Sequence, residues 1–168
     1  MKKVYLSWKF NKTTEENTTM ARRLRNDYRS LMLGDAARLT HAADNVKLND
    51  KYLYSGPFYC EQASTGEFTS TECTVVVAAE YAAVKNCDVF IAVFDENDTP
   101  GTVVELGWAL DAGKEIYILY KPSDSKYTIQ SEHWFPIADA QMRDNNAQVF
   151  AYANTAEMLD IIKNKILI

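Results

Sequence analysis

Short apolar segments of strand length alternate along the chain with longer segments of helical periodicity. Lys3–Leu6 is rich in β-forming residues near the start of the chain. Asp88–Phe94 contains a continuous apolar run with β-branched residues, which suits a central parallel strand covered on both faces. Glu115–Tyr120 predicts the next strand, and a further strand is expected near Val46–Leu48 or Tyr52–Tyr54.

Segments with apolar residues three and four positions apart predict helices between the strands. The predicted helices are Thr13–Leu33, Ser70–Asn86, Val103–Ala112 and Thr155–Lys165. Alternating strands and helices favour an α/β fold, a flavodoxin- or Rossmann-like parallel sheet with helices on both faces. We expect residues 1–168 to form a single domain, although residues 35–70 carry no clear pattern.

Composition and charge narrow the classes of partner. The chain has 168 residues, of which 47% are hydrophobic and 24% are charged, and its formal net charge is −5. These values are typical of a globular protein. The longest apolar stretches, Thr74–Ala79 and Val89–Phe94, are far too short to span a bilayer, so no membrane partner is expected. Basic residues cluster only in short pairs such as Arg22-Arg23, so no nucleic-acid polymer is expected either.

The cysteines and histidines give no sign of a metal site. Cys60, Cys73 and Cys87 are odd in number and lack metal-ligand spacing, and His41 and His133 are isolated in the sequence. Three thiols without a pairing pattern favour a reduced, cytoplasmic setting. We therefore predict no metal site.

The segment Asp95–Ala109, followed by Gly113-Lys114, carries the candidate chemistry. It lies between the end of a buried strand and the start of a helix, where open α/β sheets bind their ligands. Acidic side chains at this position suit sugar hydroxyls better than phosphate. Structural interpretations remain open, because Thr102 and Glu105 match a helix capping box, and Asp95 and Asp98 can be turn residues.

This segment resembles the nucleoside 2-deoxyribosyltransferase family. In that family an acidic loop is followed by Gly-Thr, Glu, Gly and Ala at fixed spacing, and later by Gly-Lys. The matching residues here are Gly101, Thr102, Glu105, Gly107, Ala109, Gly113 and Lys114. The resemblance covers the N-terminal strand and residues 72–120. It departs from the family pattern where Glu80 stands in place of an Asp, and where Thr99-Pro100 separates Asp98 from Gly101.

The resemblance implies an enzyme that transfers 2-deoxyribose between nucleobases through a covalent glycosyl-enzyme on Glu105. This reaction requires neither a metal nor an organic cofactor. Tyr5 is expected to donate a hydrogen bond that orients the Glu105 carboxylate, and the positive end of the helix dipole is expected to keep that carboxylate ionised. Asp98 is the first candidate for the acid that protonates the leaving base, and Glu80 is its rival.

The resemblance also implies substrate contacts and partners. Trp8 or Phe10 is expected to stack on the base, Asp95 to hold a sugar hydroxyl, and Gly101 and Thr102 to contact the substrate. The partners are then deoxynucleosides and free nucleobases. A homo-oligomer is implied as well, because family members complete each site with a neighbouring subunit.

Two other functions remain open at this stage. One is an N-glycosidase that hydrolyses deoxynucleoside 5′-monophosphates, which needs a phosphate-binding loop after the first strand. The corresponding segment, Ser7–Thr14, has no glycine, although Lys9 and Lys12 could bind a phosphate. The other is a nucleotide-sensing domain without catalytic turnover.

Overall fold

One sheet organises the computed structural model, which describes residues 1–8, 46–57, 70–94, 99–124 and 126–168. Its described strands are β1 (Lys2–Ser7), β2 (Val46–Lys47), β3 (Tyr52–Gly56), β4 (Val89–Phe94), β5 (Glu115–Tyr120) and β6 (Gln148–Ala151), in the spatial order β2-β3-β1-β4-β5-β6. Strands β3, β1, β4, β5 and β6 are parallel to one another, and the two-residue β2 adds an antiparallel edge. The expected parallel α/β sheet is confirmed.

The strand order fixes where a ligand should bind. From β1 the chain passes to β3 on one side and later to β4 on the other side, so the topology reverses between β1 and β4. This arrangement of parallel strands is the flavodoxin-like order, and ligands of such sheets bind beyond the carboxyl ends of the strands at the reversal. We therefore expect a ligand-binding site in the crevice between the carboxyl ends of β1 and β4.

Four helices are described around the sheet: α1 (Ser70–Asn86), α2 (Pro100–Asp111), α3 (Trp134–Arg143) and α4 (Thr155–Ile161), with a π-helical turn at Ile162–Ile166. The prediction for α1 is confirmed at both ends, and α4 with its π-helical turn covers the predicted final helix. The expected helix over residues 13–33 lies outside the described residues. Neither α3 nor β6 was predicted from the sequence.

Helix α2 begins three residues before the predicted position, at Pro100. Proline is favoured in the first turn because its φ angle is already helical and its missing N–H has no partner to lose there. The earlier start places Thr102 inside the helix and moves Glu105 from the first turn to the second. The Thr102–Glu105 spacing therefore no longer runs from the N-cap to the third helical residue, as a capping box requires.

The core has two parts, one on each face of the sheet. Val4, Leu6 and Ile91 pack with residues of α4 and the π-helical turn. Tyr5 and Phe90, which alternate with them along the strands, pack with residues of α1, α2 and α3. Successive strand residues point to opposite faces, so the alternation itself produces both layers. The prediction of helices on both faces is confirmed.

The aromatic residues of β3 belong to this core. Tyr52 and Tyr54 are buried in the cluster on the α4 side, and Tyr54 Oη donates to the carbonyl oxygen of Pro57 at 2.6 Å. These two side chains therefore pack in the interior. Phe58 and Tyr59, from the same aromatic segment, lie outside the described residues.

Gly56 makes room for the ring of Tyr5. The β1–β3 register shifts after Val4, so that Tyr5 is paired with Gly56. Gly56 has a φ of +145°, and a Cβ placed there would lie 2.7 Å from two ring carbons of Tyr5. The ring has little freedom to move away, because it is fully buried and stacks on Phe90 with the ring centroids 5.6 Å apart.

We expect Gly56→Ala to destabilise the protein, because alanine is strained at that φ and its methyl group would collide with Tyr5. Gly107→Ala in α2 is the matched control, since a Cβ there meets nothing within 4 Å and alanine favours a helix by about 1 kcal/mol. Chemical denaturation should give a lower midpoint for Gly56→Ala and an unchanged or higher one for Gly107→Ala. An unchanged midpoint for Gly56→Ala would contradict the steric argument.

Candidate active site

A buried tyrosine lies between two carboxyl groups at the crevice between β1 and β4. Tyr5 Oη is 2.8 Å from Glu105 Oε1 and 2.8 Å from Glu80 Oε2. Ser7 Oγ donates to the other carboxylate oxygen, Glu105 Oε2, in a short hydrogen bond. Both oxygens of Glu105 are thus held by side chains of β1.

Three elements bring these side chains together. Tyr5 and Ser7 are two positions apart on β1, so both point to the face covered by α1 and α2. Glu105 is in the second turn of α2, and Glu80 is on α1. Ser7 is the last residue of β1, so the cluster lies at the carboxyl end of that strand, beside β4.

The capping-box interpretation of Glu105 is wrong. The residue at the N-cap of α2 is Thr99, and Glu105 is the sixth residue of the helix. A capping box needs the glutamate at the third helical position, from which it can reach back to the N-cap amide. The Glu105 carboxylate instead bonds to Tyr5 and Ser7 on the neighbouring strand.

Burial dominates the electrostatics of the cluster. It raises the pKa of Tyr5 well above its ordinary value, and the nearby charges of Glu105 and Glu80 raise it further, so the phenol keeps its proton. Burial also raises the pKa of Glu105, against the hydrogen bonds from Ser7 and Tyr5 that lower it. The sequence favoured a carboxylate kept ionised by the helix dipole. Glu105 lies in the second turn, and its pKa moves in the opposite direction.

The two contacts of Tyr5 set a condition on protonation. A phenol has one proton and can donate it fully to one acceptor at a time. Both 2.8 Å contacts are therefore strong hydrogen bonds only when one of the two carboxyl groups is protonated and donates to the phenol oxygen. One protonated and one ionised carboxyl group beside the neutral phenol would satisfy both contacts of Tyr5.

The other predicted site residues have different surroundings. Thr102 is buried on α2, and its hydroxyl has no hydrogen-bond partner among the described residues. Gly101 is exposed at the start of the same helix. Trp8 is half-buried, and the cluster against which it packs lies on the α4 side, across the sheet from Glu105. Phe10, Asp95 and Asp98 lie outside the described residues.

Sequence reasoning missed Ser7 as a partner of Glu105. The two residues are 98 positions apart, and the only signal in the sequence was that Ser7 follows Tyr5 by two positions on a strand. That spacing places the hydroxyl on the same face as the tyrosine ring. The contact itself depends on how α2 packs against β1.

The structure also shows the surroundings of four other residues of the matched motif. Lys114 Nζ donates to the carbonyl oxygen of Lys85 at 2.7 Å, near the end of α1. Gly113 has a φ of +63°, which suits the residue that ends a helix. A Cβ at Gly107 would meet nothing within 4 Å, so this glycine is not required by close packing. Ala109 is fully buried.

The described ranges show neither a metal-binding cluster nor a membrane-spanning helix. Those ranges contain no group of three or more His, Cys, Asp or Glu residues that could hold a metal ion. No helix within them is long and apolar enough to cross a membrane. Burial raises the pKa of the Cys87 thiol to about 11, which keeps it protonated and unreactive at neutral pH.

Comparison with known proteins extends the resemblance found in the sequence. The family model for nucleoside 2-deoxyribosyltransferase matches residues 8–158. Among solved structures, a CMP N-glycosidase from Clostridium botulinum matches with a TM-score of 0.56, covering 96% of this chain and 98% of that chain at 20% identity. A likeness at this identity concerns the fold. The search of curated proteins gave no significant match.

The raised pKa of Glu105 predicts how its replacement changes stability with pH. A carboxyl group whose pKa is higher in the folded state stabilises the fold below its ordinary pKa, about 4.3, and loses that contribution as pH rises through the folded value. Glu105→Gln carries no charge at any pH. We therefore expect its Tm to exceed that of the wild type at neutral pH, and the difference to shrink on acidification.

Glu132→Gln is the control for this measurement, because it removes an exposed carboxylate. Thermal unfolding followed by circular dichroism at several pH values would give both trends. A Tm difference for Glu105→Gln that stays constant with pH, or grows on acidification, would contradict the sign of the pKa shift.

Proposed function

Because this chain belongs to the nucleoside 2-deoxyribosyltransferase family, we propose that it transfers 2-deoxyribose between nucleobases through a covalent glycosyl-enzyme on Glu105. The observation that carries this proposal is the geometry of one carboxylate. Glu105 is held through both oxygens by Tyr5 and Ser7 at the carboxyl end of β1, where sheets of this topology bind ligands.

In the first step, a Glu105 oxygen attacks the anomeric carbon of a deoxynucleoside. The bond from that carbon to the base nitrogen breaks, and its electron pair leaves with the base. A carboxylate stabilises the positive charge that develops on the sugar and then traps it as an ester. The hydrogen bonds from Tyr5 and Ser7 fix the orientation of the carboxylate beforehand, which reduces the entropy lost on reaching the transition state.

The leaving base needs a proton, and Glu80 is positioned to store one. Asp98 was the first candidate from the sequence and lies outside the described residues, whereas Glu80 shares the Tyr5 hydroxyl with Glu105. In the proposed cycle Glu105 is the ionised partner and Glu80 the protonated one. Glu80 gives its proton to the departing base and recovers one from the incoming base.

In the second step, a nitrogen of another base attacks the anomeric carbon of the ester. The carboxylate of Glu105 leaves with its bonding pair, and two inversions restore the original anomeric configuration. We assign Thr102, with Gly101 and Asp95, to binding the sugar hydroxyls. Thr102 is on the helix of Glu105, and its buried hydroxyl has no hydrogen-bond partner among the described residues.

The nucleobase is assigned to Trp8 and Phe10. The two residues follow β1 directly along the chain, and the half-buried ring of Trp8 lies just beyond the strand end that carries Ser7. The ring of Trp8 packs on the α4 side, across the sheet from Glu105, so to stack on a base and shield the ester from water it must turn at the strand end. Base affinity that is unchanged in Trp8→Ala would exclude Trp8 from this role.

The second candidate function is an N-glycosidase with water as the acceptor and a deoxynucleoside 5′-monophosphate as substrate. The structural neighbour from Clostridium botulinum is a CMP N-glycosidase. The hydroxyl of Ser7 already donates a hydrogen bond to Glu105, which argues against a phosphate-binding loop at Ser7–Thr14. A nucleotide-sensing domain without turnover would leave the paired carboxyl groups around Tyr5 without a chemical role.

Exposed apolar side chains on α1 and α2 support the homo-oligomer that the family resemblance implies. The exposed residues are Val75, Val77, Tyr81, Val103 and Val104. The ring of Tyr81 meets the ring of Trp108 edge-on at 5.1 Å, which joins the exposed faces of the two helices. Extended apolar surface of this kind marks interaction sites. Sedimentation as a monomer at micromolar concentration would exclude the homo-oligomer.

Replacing Glu105 should abolish turnover while the fold remains intact. Glu105→Gln keeps the size of the side chain and its hydrogen-bonding capacity but removes the nucleophile. We expect at least a 10³-fold loss of base release, on the scale of losing one member of a catalytic group. Base release and base exchange would be followed by chromatography, with Glu132→Gln as a variant of unchanged activity.

The same assay separates the candidate functions by product. A deoxynucleoside mixed with a different free base gives a new deoxynucleoside if the protein is a transferase. A deoxynucleoside 5′-monophosphate gives free base and deoxyribose 5-phosphate if the protein is a hydrolase. Wild-type exchange rates in Glu105→Gln would show that the nucleophile is another residue, and no product from any substrate would favour the sensing domain.

Glu80→Gln should slow the reaction in a way that depends on the leaving group. General acid catalysis contributes about 10²- to 10⁴-fold, and we expect a loss of that order with ordinary deoxynucleosides. With 7-methyl-2′-deoxyguanosine the base leaves without needing a proton, so the variant should retain most of the wild-type rate. Equal losses on both substrates would remove Glu80 from the acid role.

A further inference from the structure

His133 contacts both chain segments that flank the loop before the nucleophile's helix. Its ring stacks on that of Phe94, the last residue of β4, with centroids 4.9 Å apart and planes inclined by 25°. Its Nε2 atom lies 3.0 Å from the hydroxyl oxygen of Thr99, the residue at the N-cap of α2. One side chain thus connects the end of a central strand with the start of the helix that carries Glu105.

The hydroxyl of Thr99 is used in an unusual way for an N-cap residue. A threonine at this position ordinarily accepts a hydrogen bond from an amide of its own first helical turn. Thr99 makes no such side-chain bond, although its carbonyl oxygen accepts the amide of Val103 at 3.2 Å. The hydroxyl is directed to His133 instead, and Thr99 is only 2% exposed, so water does not replace that partner.

His133 is itself anchored from the backbone. Its amide donates to the hydroxyl oxygen of Ser131, which is buried, and its carbonyl oxygen accepts the amide of Ile137 in the first turn of α3. Ile137 is fully buried in the same core cluster as Tyr5 and Leu106. These backbone hydrogen bonds anchor His133 to the core and so limit the movement of its imidazole ring.

We propose that His133 is a positioning residue, which fixes the start of α2 against the end of β4 and so sets the place of the Glu105 carboxylate. This inference rests on the proposed function, because the positioned group is the proposed nucleophile. Glu105 is six residues after Thr99 on one continuous helix, about 9 Å along its axis at 1.5 Å per residue. A helix moves as a unit, so a displaced first turn displaces the carboxylate.

Two variants of His133 separate its two contacts. His133→Phe keeps an aromatic ring against Phe94 but removes the nitrogen that meets Thr99. His133→Gln keeps a polar nitrogen at a similar reach but loses the stacked ring. Thr99→Val removes the same hydrogen bond from the other side with little change in volume. Because Thr99 and His133 act through one contact, the double variant Thr99→Val/His133→Phe should be no worse than either single variant.

We expect His133→Phe and Thr99→Val each to lower kcat by about 10- to 100-fold, the range that a displacement near 1 Å produces, while KM changes much less. His133→Gln should recover part of that loss. Ser55→Ala is the matched control, because it removes a buried hydroxyl on β3 that donates to the carbonyl oxygen of Val4, away from α2. A kcat within twofold of wild type in His133→Phe, or losses that multiply in the double variant, would overturn the inference.

Amide hydrogen exchange gives a readout that does not need turnover. The amides in the first turn of α2, including that of Val103, should exchange faster in His133→Phe than in the wild type, whereas those of β5 should not change. Unchanged exchange in α2 would overturn the anchoring. If exchange rises as expected but the wild-type protein releases no base from any nucleoside, the anchor stands and the proposed function is the part that fails.

Discussion

The candidate site depends on one hydrogen bond, from the buried phenol of Tyr5 to the carboxylate of Glu105. A carboxylate that is largely removed from water needs donors in fixed positions, and Tyr5 and Ser7 supply one for each oxygen. Several local features serve that bond. The register shift of β1 and the glycine at position 56 admit the tyrosine ring, and Phe90 supports it from β4.

Burial of the Glu105 carboxylate suits its proposed chemical role but lowers the stability of the fold. Burial raises the pKa of Glu105, so its charge weakens the fold at neutral pH, and the hydrogen bonds from Ser7 and Tyr5 recover part of that loss. Two core clusters, one on each face of the sheet, stabilise the described strands and helices. In the proposed reaction, a carboxylate that burial leaves poorly solvated is suited to attack an electron-poor sugar carbon. The second carboxyl group at Tyr5 lets the site hold a proton near that charge.

The sequence predicted those features that a local pattern encodes. Strand β4 is a continuous apolar run and α1 has clear ends, whereas Glu105 was singled out by the resemblance to the family motif. The rest depends on packing between distant segments. Ser7 meets Glu105 across 98 residues, and Gly56 is required by a ring on a neighbouring strand. Helix α3 begins after His133 without a side-chain cap and has Pro136 in its first turn, and β6 has only four residues, so neither element has a clear start signal in the sequence. Proline at the first position moved the start of α2 and with it the interpretation of Thr102 and Glu105.

The central claim is that Glu105 forms a bond to sugar, and trapping that bond tests it most directly. A 2-fluoro substituent withdraws electrons from the anomeric carbon and slows the breakdown of a glycosyl ester, so a 2′-fluoro-2′-deoxynucleoside should leave its sugar on the enzyme. Intact-protein mass spectrometry should then show one added fluorodeoxyribosyl group, and peptide mapping should place it on Glu105. A protein that releases base from this compound yet carries the sugar on another residue, or carries none, would contradict the account.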